Sequence, residues 1–399
     1  MSGPLSDLTV LDVSTLFAGP MAARMFADYG ATVTKLEHPK GDPLRNFGPA
    51  PIAGDSYAWK VINRNKRCVI ADLHTPNGVA TLQDLVRNAD ILIENFRPGV
   101  LDSWGIGYKN LKRINPDLVM VSVTGFGQDG PYADHPGFGT VAEAMSGVAM
   151  MAGLTGEPPQ LPPFPLGDTL TALHAALGAL IALYDRKHLG FGQHVDVNIW
   201  ESILSSTGAQ ITTYAATGHE PSRHGNQSPN NAPRNVYRCG DGLWVAISAP
   251  SDDVARRVFQ LVGRGDLTKQ PWFTHGKSRA DHREEVDRAI EDWVGVRDRD
   301  EVLRKFTTAR AAVGPVYTIA EIVKDPHLAA RNFLTTVPDQ DVGSVLMTGV
   351  PMRFSHTKGR ISFPGQSYRT VSQKYPKYVS QRGATDQLSL IHISEPTRP

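Results

Sequence analysis

Apolar and polar positions follow two rhythms along the first half of the chain. Short β-type runs lie at residues 8–13, 31–36, 68–71, 91–93 and 118–123, and another at 194–199 starts just after Gly190-Phe-Gly192. Between them the spacing shifts to that of helices, at 78–88 and 101–114. Gly19-Pro20 opens a further helix with proline at its first position, and Gly30 suits the cap at the far end. Strands alternating with helices in this way predict an α/β fold with a mostly parallel sheet covered by helices.

One apolar run, residues 169–184, is apolar on nearly every face, so as a helix it is expected to be buried. The segment Leu161-Pro-Pro-Phe-Pro-Leu-Gly-Asp168 leads into it. Three prolines stiffen that approach, and Gly167 lets the backbone turn sharply before the acid. Asp168 reads first as a helix N-cap, a role contributing about 1 kcal/mol. Capping leads on this local pattern, but a nucleophile's role is compatible with it, because amides at a helix start keep a carboxylate ionised and only the anion attacks a carbonyl.

The character changes after residue 217. Residues 218–235, rich in Gly, Pro, Ser and Asn, read as a linker. Runs at 236–238 and 243–247 flank Cys239-Gly-Asp-Gly242 as a hairpin, and helical patterns at 251–262, 278–296 and 300–309 follow. The expected organisation is a large domain over 1–217, a smaller α+β domain over 236–313, and a return to the large domain over 314–365. Residues 388–399 match nothing before them in style. They resemble the translated read-through of a sequencing adapter and are set aside from fold reasoning.

A net charge of +1 gives no global field for nucleic acid or an anionic membrane, so neither is an expected partner. The first residues lack a signal-peptide pattern, and the apolar run is slightly short for a bilayer span and holds Thr171 and His174, which points to the cytoplasm. Two cysteines, Cys68 and Cys239, build neither a disulfide framework nor a zinc site, and no H-E-x-x-H or G-x-S-x-G occurs. No metal site is expected, and His174 reads as a satisfied core residue. Gly125-Phe-Gly127-Gln-Asp-Gly130 follows a strand, but Pro131 prevents the helix that a dinucleotide site needs. The four cations Lys60, Arg64, Lys66 and Arg67 read mostly as a solvated strand entry, with one or two available to ligand phosphates.

Seven stretches in order carry a resemblance. They are Val10-Leu-Asp-Val-Ser-Thr-Leu-Phe-Ala-Gly-Pro20, Asn63-Arg-Asn-Lys-Arg67, Glu94-Asn-Phe-Arg-Pro-Gly99, Thr124-Gly-Phe-Gly-Gln-Asp-Gly-Pro131, Pro136-Gly-Phe-Gly139, Leu166-Gly-Asp168 and Gly190-Phe-Gly-Gln193. Over roughly residues 1 to 365 the chain resembles the class III CoA-transferases (the CaiB/BaiF, formyl-CoA transferase type). The resemblance implies an interlocked homodimer, with a Rossmann-like large domain built from both ends of the chain. It implies no permanently bound cofactor, and coenzyme A and acyl-CoA as substrates together with a small carboxylic acid.

Asp168 matches the family nucleophile. CoA contacts carry over to Phe17, Ala18, His38, Ala71, Asp72, Leu73, His74, Asn95, Phe96 and Arg97, with Phe138 nearby. His38, His74 and Ser103 stand where some members place basic residues, leaving Arg64, Lys66 or Arg97 to meet the CoA phosphates. Gly139 replaces an acid of the formyl-CoA enzyme, the long glycine run is missing, and the family pattern is lost after Pro364. The family also holds α-methylacyl-CoA racemases, whose His-Asp pair falls on Phe138 and Gly139, and phenylalanine accepts no proton.

Overall fold

The computed structural model describes residues 3–50 and 54–374; the tail at 388–399 lies outside them. Two compact units emerge. One holds the described chain up to Ser146, Pro163–Gly208 and the segment from Arg331 onward; the other holds Gly147–Pro162 and Ala209–Ala330.

In the larger unit the apolar runs become β1 (Thr9–Asp12), β2 (Thr32–Glu37), β3 (Lys66–Ile70), β4 (Ile91–Glu94), β5 (Val119–Thr124) and β6 (His194–Asn198). They form one parallel sheet in the order β3-β2-β1-β4-β5-β6. β1 is central because every one of its neighbours covers it, and Val10 and Leu11 are fully buried. The expected helix at 101–114 breaks into Val100–Ser103 and Tyr108–Ile114 around Gly105, whose φ of +73° leaves the helical region.

The helix Leu166–Leu189 corrects the expectation of burial on every side. Ala172, Ala175, Ala176, Ala179 and Ala182 pack into the core between this helix, the helix Ala18–Asp28 and the sheet. Alanines there let the helix lie close to the strands. Leu173, Leu177, Leu180, Ile181 and Tyr184, spaced as one helical face, remain 40% to 67% exposed. By length and composition this is the one helix among the described residues able to cross a membrane. Its packed alanine face makes it a core helix of the large unit.

The smaller unit is built on β7 (Arg234–Arg238), β8 (Trp244–Ser248) and β9 (Val313–Pro315), an antiparallel sheet with its own core around Phe259, Ile290 and Phe306. Its bounds differ from those read in the sequence. Residues 314–315 do not begin the return but pair as β9 with β8, protecting an edge the hairpin alone would leave open. The stretch read as a linker at 218–235 belongs to the unit, as does Gly147–Pro162, which Arg223 ties in through Leu154 and Glu157 carbonyls at 3.1 and 2.8 Å. The return forms β10 (Leu334–Asp339) and β11 (Gly343–Thr348), an antiparallel hairpin of the large unit.

Candidate active site at the strand ends

Strand order reverses between β1 and β4, and open parallel sheets place ligands in the crevice at such a point. The loops leaving these strands are fixed to one another. Asn95 Oδ1 accepts the Thr15 N–H and Asn95 Nδ2 donates to the Thr15 carbonyl, both at 2.8 Å. Leu16 then takes φ +63°, a left-handed conformation costly for a leucine, and Phe17 and Ala18 start the next helix. The strain is borne in the turn that aims the Ala18 amide.

That amide donates to the carboxylate of Asp168. Asp168 is the third residue of its helix, not its N-cap: Pro165 holds that place and makes no side-chain cap. Gly167 also differs from expectation. It is not a sharp left-handed turn but a point of close approach, where a Cβ would stand 2.9 Å from Ile203 Cδ1. Gly139 makes room for the acid itself, because a Cβ there would collide with Asp168 Oδ2, whereas Gly167 makes room for Ile203 behind it.

Glu143 completes the surroundings, and no motif or spacing along the chain marks it. It is 3% exposed, lies on the helix Gly139–Met145, and its Oε1 accepts the Gly167 N–H at 2.8 Å. Burial first, and then the Glu143 charge, push Asp168 up to about 6, against the lowering effect of the Ala18 amide. The expectation that helix-end amides dominate is thus reversed. Asp168 is still roughly nine-tenths ionised at pH 7, and it is more basic than an ordinary aspartate.

Beneath the β1 loop lies a charge network that the sequence reading misplaced on the surface. Lys66 is fully buried and donates to Asp12 Oδ2, the Pro20 carbonyl and Asn63 Oδ1 at 2.8, 2.7 and 2.8 Å. Lys35 reaches the Ser14 carbonyl and pairs with Asp42 Oδ2 at 3.0 Å, while Asp42 Oδ1 accepts the Leu16 N–H at 3.3 Å. Burial pulls Lys66 down to about 8, and burial of Asp12 is outweighed by Lys35 and Lys66, which hold its carboxyl below the usual range. Arg64 is bound to Asp28 at 2.7 Å, and Lys60 to Asp339 and Asp341 at 2.8 and 2.6 Å. Of the four cations only Arg67 is exposed, so Arg64 and Lys66 cannot meet a CoA phosphate.

The remaining predicted contacts divide. Phe17, His38, Asp72, His74, Phe96 and Arg97 all lie on loops at the carboxyl ends of β1 to β4 with side chains at least partly exposed. Phe138, 62% exposed, precedes Gly139. Ala71 and Leu73 are 1% and 6% exposed, with side chains in the core on the sheet's other face, so only their backbones face the crevice. Asn95 acts as the clip described above. Glu94, pushed up to about 7 by burial, accepts the Phe96 N–H at 2.7 Å and sets that loop. His174 is not satisfied as expected: its Nδ1 is buried without a hydrogen bond. In the G-x-G-x-x-G match Gly125 has a packing role, crossing Gly137 so closely that a Cβ on it would lie 2.6 Å from Gly137 Cα, while Gly127 and Gly130 turn the backbone at φ +99° and +88°.

His38 is brought to Asp72 and His74, distant from it along the chain, with ligand atoms of the three within 4.8 Å of one another. No metal site was expected from spacing alone. The trio arises because β2 and β3 end side by side.

Comparison with known proteins matches residues 5–365 to the model of CoA-transferase family III. Succinyl-CoA–D-citramalate CoA-transferase of Chloroflexus aurantiacus is 40% identical over 363 residues, 91% of this chain and 90% of that protein. Acetyl-CoA:oxalate CoA-transferase of Acetobacter aceti is 33% identical, covering 88% of this chain and 90% of its own. Among solved structures, a CaiB/BaiF family protein from Brucella suis superimposes with a TM-score of 0.82 at 30% identity, covering 95% of this chain and 100% of that one.

Proposed function

We propose that this chain, which belongs to CoA-transferase family III, moves CoA from an acyl-CoA to a carboxylic acid through covalent intermediates on Asp168. A carboxylate oxygen attacks the thioester carbonyl, the carbon–sulfur bond breaks, and CoA leaves as the thiolate from an aspartyl acyl anhydride. The thiolate attacks the aspartyl carbonyl of that anhydride, forming an aspartyl-CoA thioester and releasing the donor acid. The acceptor carboxylate attacks this thioester, giving a new anhydride and thiolate, and the thiolate takes the new acyl group away. No proton is transferred, so the exchange needs no general acid or base.

The observation that carries this reading is Asp168 itself, held between the Ala18 amide, Gly139 and Glu143. Acylation neutralises the carboxylate just as protonation does. Burial and Glu143 oppose the Asp168 anion, raising it from 3.8 to about 6, and acylation takes that charge off the carboxylate. A racemase needs a proton acceptor on each side of the α-carbon; Phe138 and Gly139 offer none.

The relatives named for succinyl-CoA with citramalate or malate support a short dicarboxylic acceptor and succinyl-CoA as donor. The exposed apolar row from Leu173 to Tyr184 supports a homodimer that covers it. Two free buried cysteines suit a reducing cytoplasm. Incubation with succinyl-CoA followed by hydroxylamine should leave a hydroxamate on Asp168 by intact-protein mass spectrometry, absent from Asp168→Ala. No adduct across a broad thioester panel defeats the proposal, and deuterium wash-in at the α-carbon without an acceptor acid would favour the racemase.

A further inference from the structure

We propose that His38 Nε2, His74 Nδ1 and an Asp72 carboxylate oxygen form a binding site for a divalent late transition ion such as Zn2+ or Co2+. The backbone delivers them together. Glu37 lies opposite Ile70 in the β2–β3 ladder and the Ala71 N–H donates to the Glu37 carbonyl at 2.9 Å, so the residues after each strand emerge side by side. His74 Nδ1 stands 2.9 Å and His38 Nε2 3.7 Å from Asp72 Oδ1. Ligand atoms about 2.0 to 2.2 Å from a zinc-like ion lie roughly 2.9 to 3.4 Å apart, so small side-chain rotations close the set.

The groups are oriented. Asp72 Oδ1 also accepts the His74 N–H at 3.0 Å, and the His74 ring packs against Trp104 with 4.5 Å between centroids. In the metal-free chain His74 Nδ1 and Asp72 Oδ1 lie at hydrogen-bond distance, 2.9 Å, in the place the ion would take. Coordination by His38 Nε2 moves that ring's proton to Nδ1 and gives up its exposed bond from the Lys40 N–H. Two imidazoles and one carboxylate select zinc, cobalt or nickel over magnesium or calcium, and three protein ligands leave a position open.

The consequence rests on reading the crevice as a CoA site. With both imidazoles neutral, Asp72 gives the trio a single negative charge, which repels phosphate. A divalent ion inverts it to a single positive charge and offers its open position to a phosphate oxygen.

The test uses the full chain stripped with a chelator. Co2+ titration should give saturable, equimolar binding with visible d–d absorption, at least about tenfold weaker in His38→Ala and in His74→Ala with unchanged circular dichroism. No saturable binding, or binding unaltered in both variants, overturns the site. Calorimetry should then show CoA binding about tenfold tighter to the Zn2+-loaded than to the stripped protein, the scale of a modest coupling. Equal or weaker binding overturns the coupling. Binding to neither form would instead overturn the CoA reading of the crevice and leave the cobalt result standing.

Discussion

Asp168→Asn should stabilise this protein while abolishing its activity. The substitution keeps the shape and an oxygen for the Ala18 amide, but removes the charge that burial and Glu143 oppose. A folded-state value of about 6 against 3.8 means the folded chain holds the proton more tightly than the unfolded one. Stability of the wild type therefore falls as pH rises from about 4 to about 6, and above that window the penalty is complete. At 1.36 kcal/mol per unit it amounts to about 3 kcal/mol, which raises the melting temperature of the large unit on the order of 2 °C per kcal/mol. Urea denaturation of wild type and variant at pH 8 and at pH 4 measures it. The variant should lead at pH 8 and lose its lead at pH 4. Equal midpoints at pH 8, or a lead independent of pH, would refute the electrostatic account of the nucleophile.

Gly139→Ala should lower kcat on the order of 100-fold by displacing Asp168 Oδ2, with the melting temperature nearly unchanged; activity within threefold of wild type would show the carboxylate has room to move. The acid limb of kcat/KM should bend at about pH 6, because the protonated carboxyl does not attack, and a bend near 4 would mean an ordinary aspartate. The pair Leu177→Asp and Ile181→Asp should yield a monomer in analytical ultracentrifugation, and an unaltered dimer would show that the apolar row is not at its interface.

Much of the sheet was legible because β1, β4 and β5 are strongly apolar runs bounded by turn residues, a local signal. Asp168 was legible for a related reason, since proline and glycine isolate it before a helix. What failed was non-local. Lys60, Arg64 and Lys66 look solvated in a string of cations, yet the carboxylates that bury Lys60 come almost three hundred positions later. Glu143 and the His38–Asp72–His74 trio depend on which strand neighbours which, and spacing along the chain carries no record of that. The outer face of the Leu166–Leu189 helix was misread because apolar side chains look alike whether they meet a core or stay uncovered.

The buried cations also constrain the order in which the molecule can be made. Among the described residues Lys60 finds its counter-charges at Asp339 and Asp341, and Arg64 donates to the Thr348 carbonyl at 2.6 Å. During synthesis Lys60 leaves the ribosome long before these carboxylates exist, whereas Arg64 already has Asp28, and a lone ammonium in an apolar interior is prohibitively unfavourable. The helix carrying Lys60 therefore reaches its buried, paired state only once the hairpin of Leu334–Thr348 has been made.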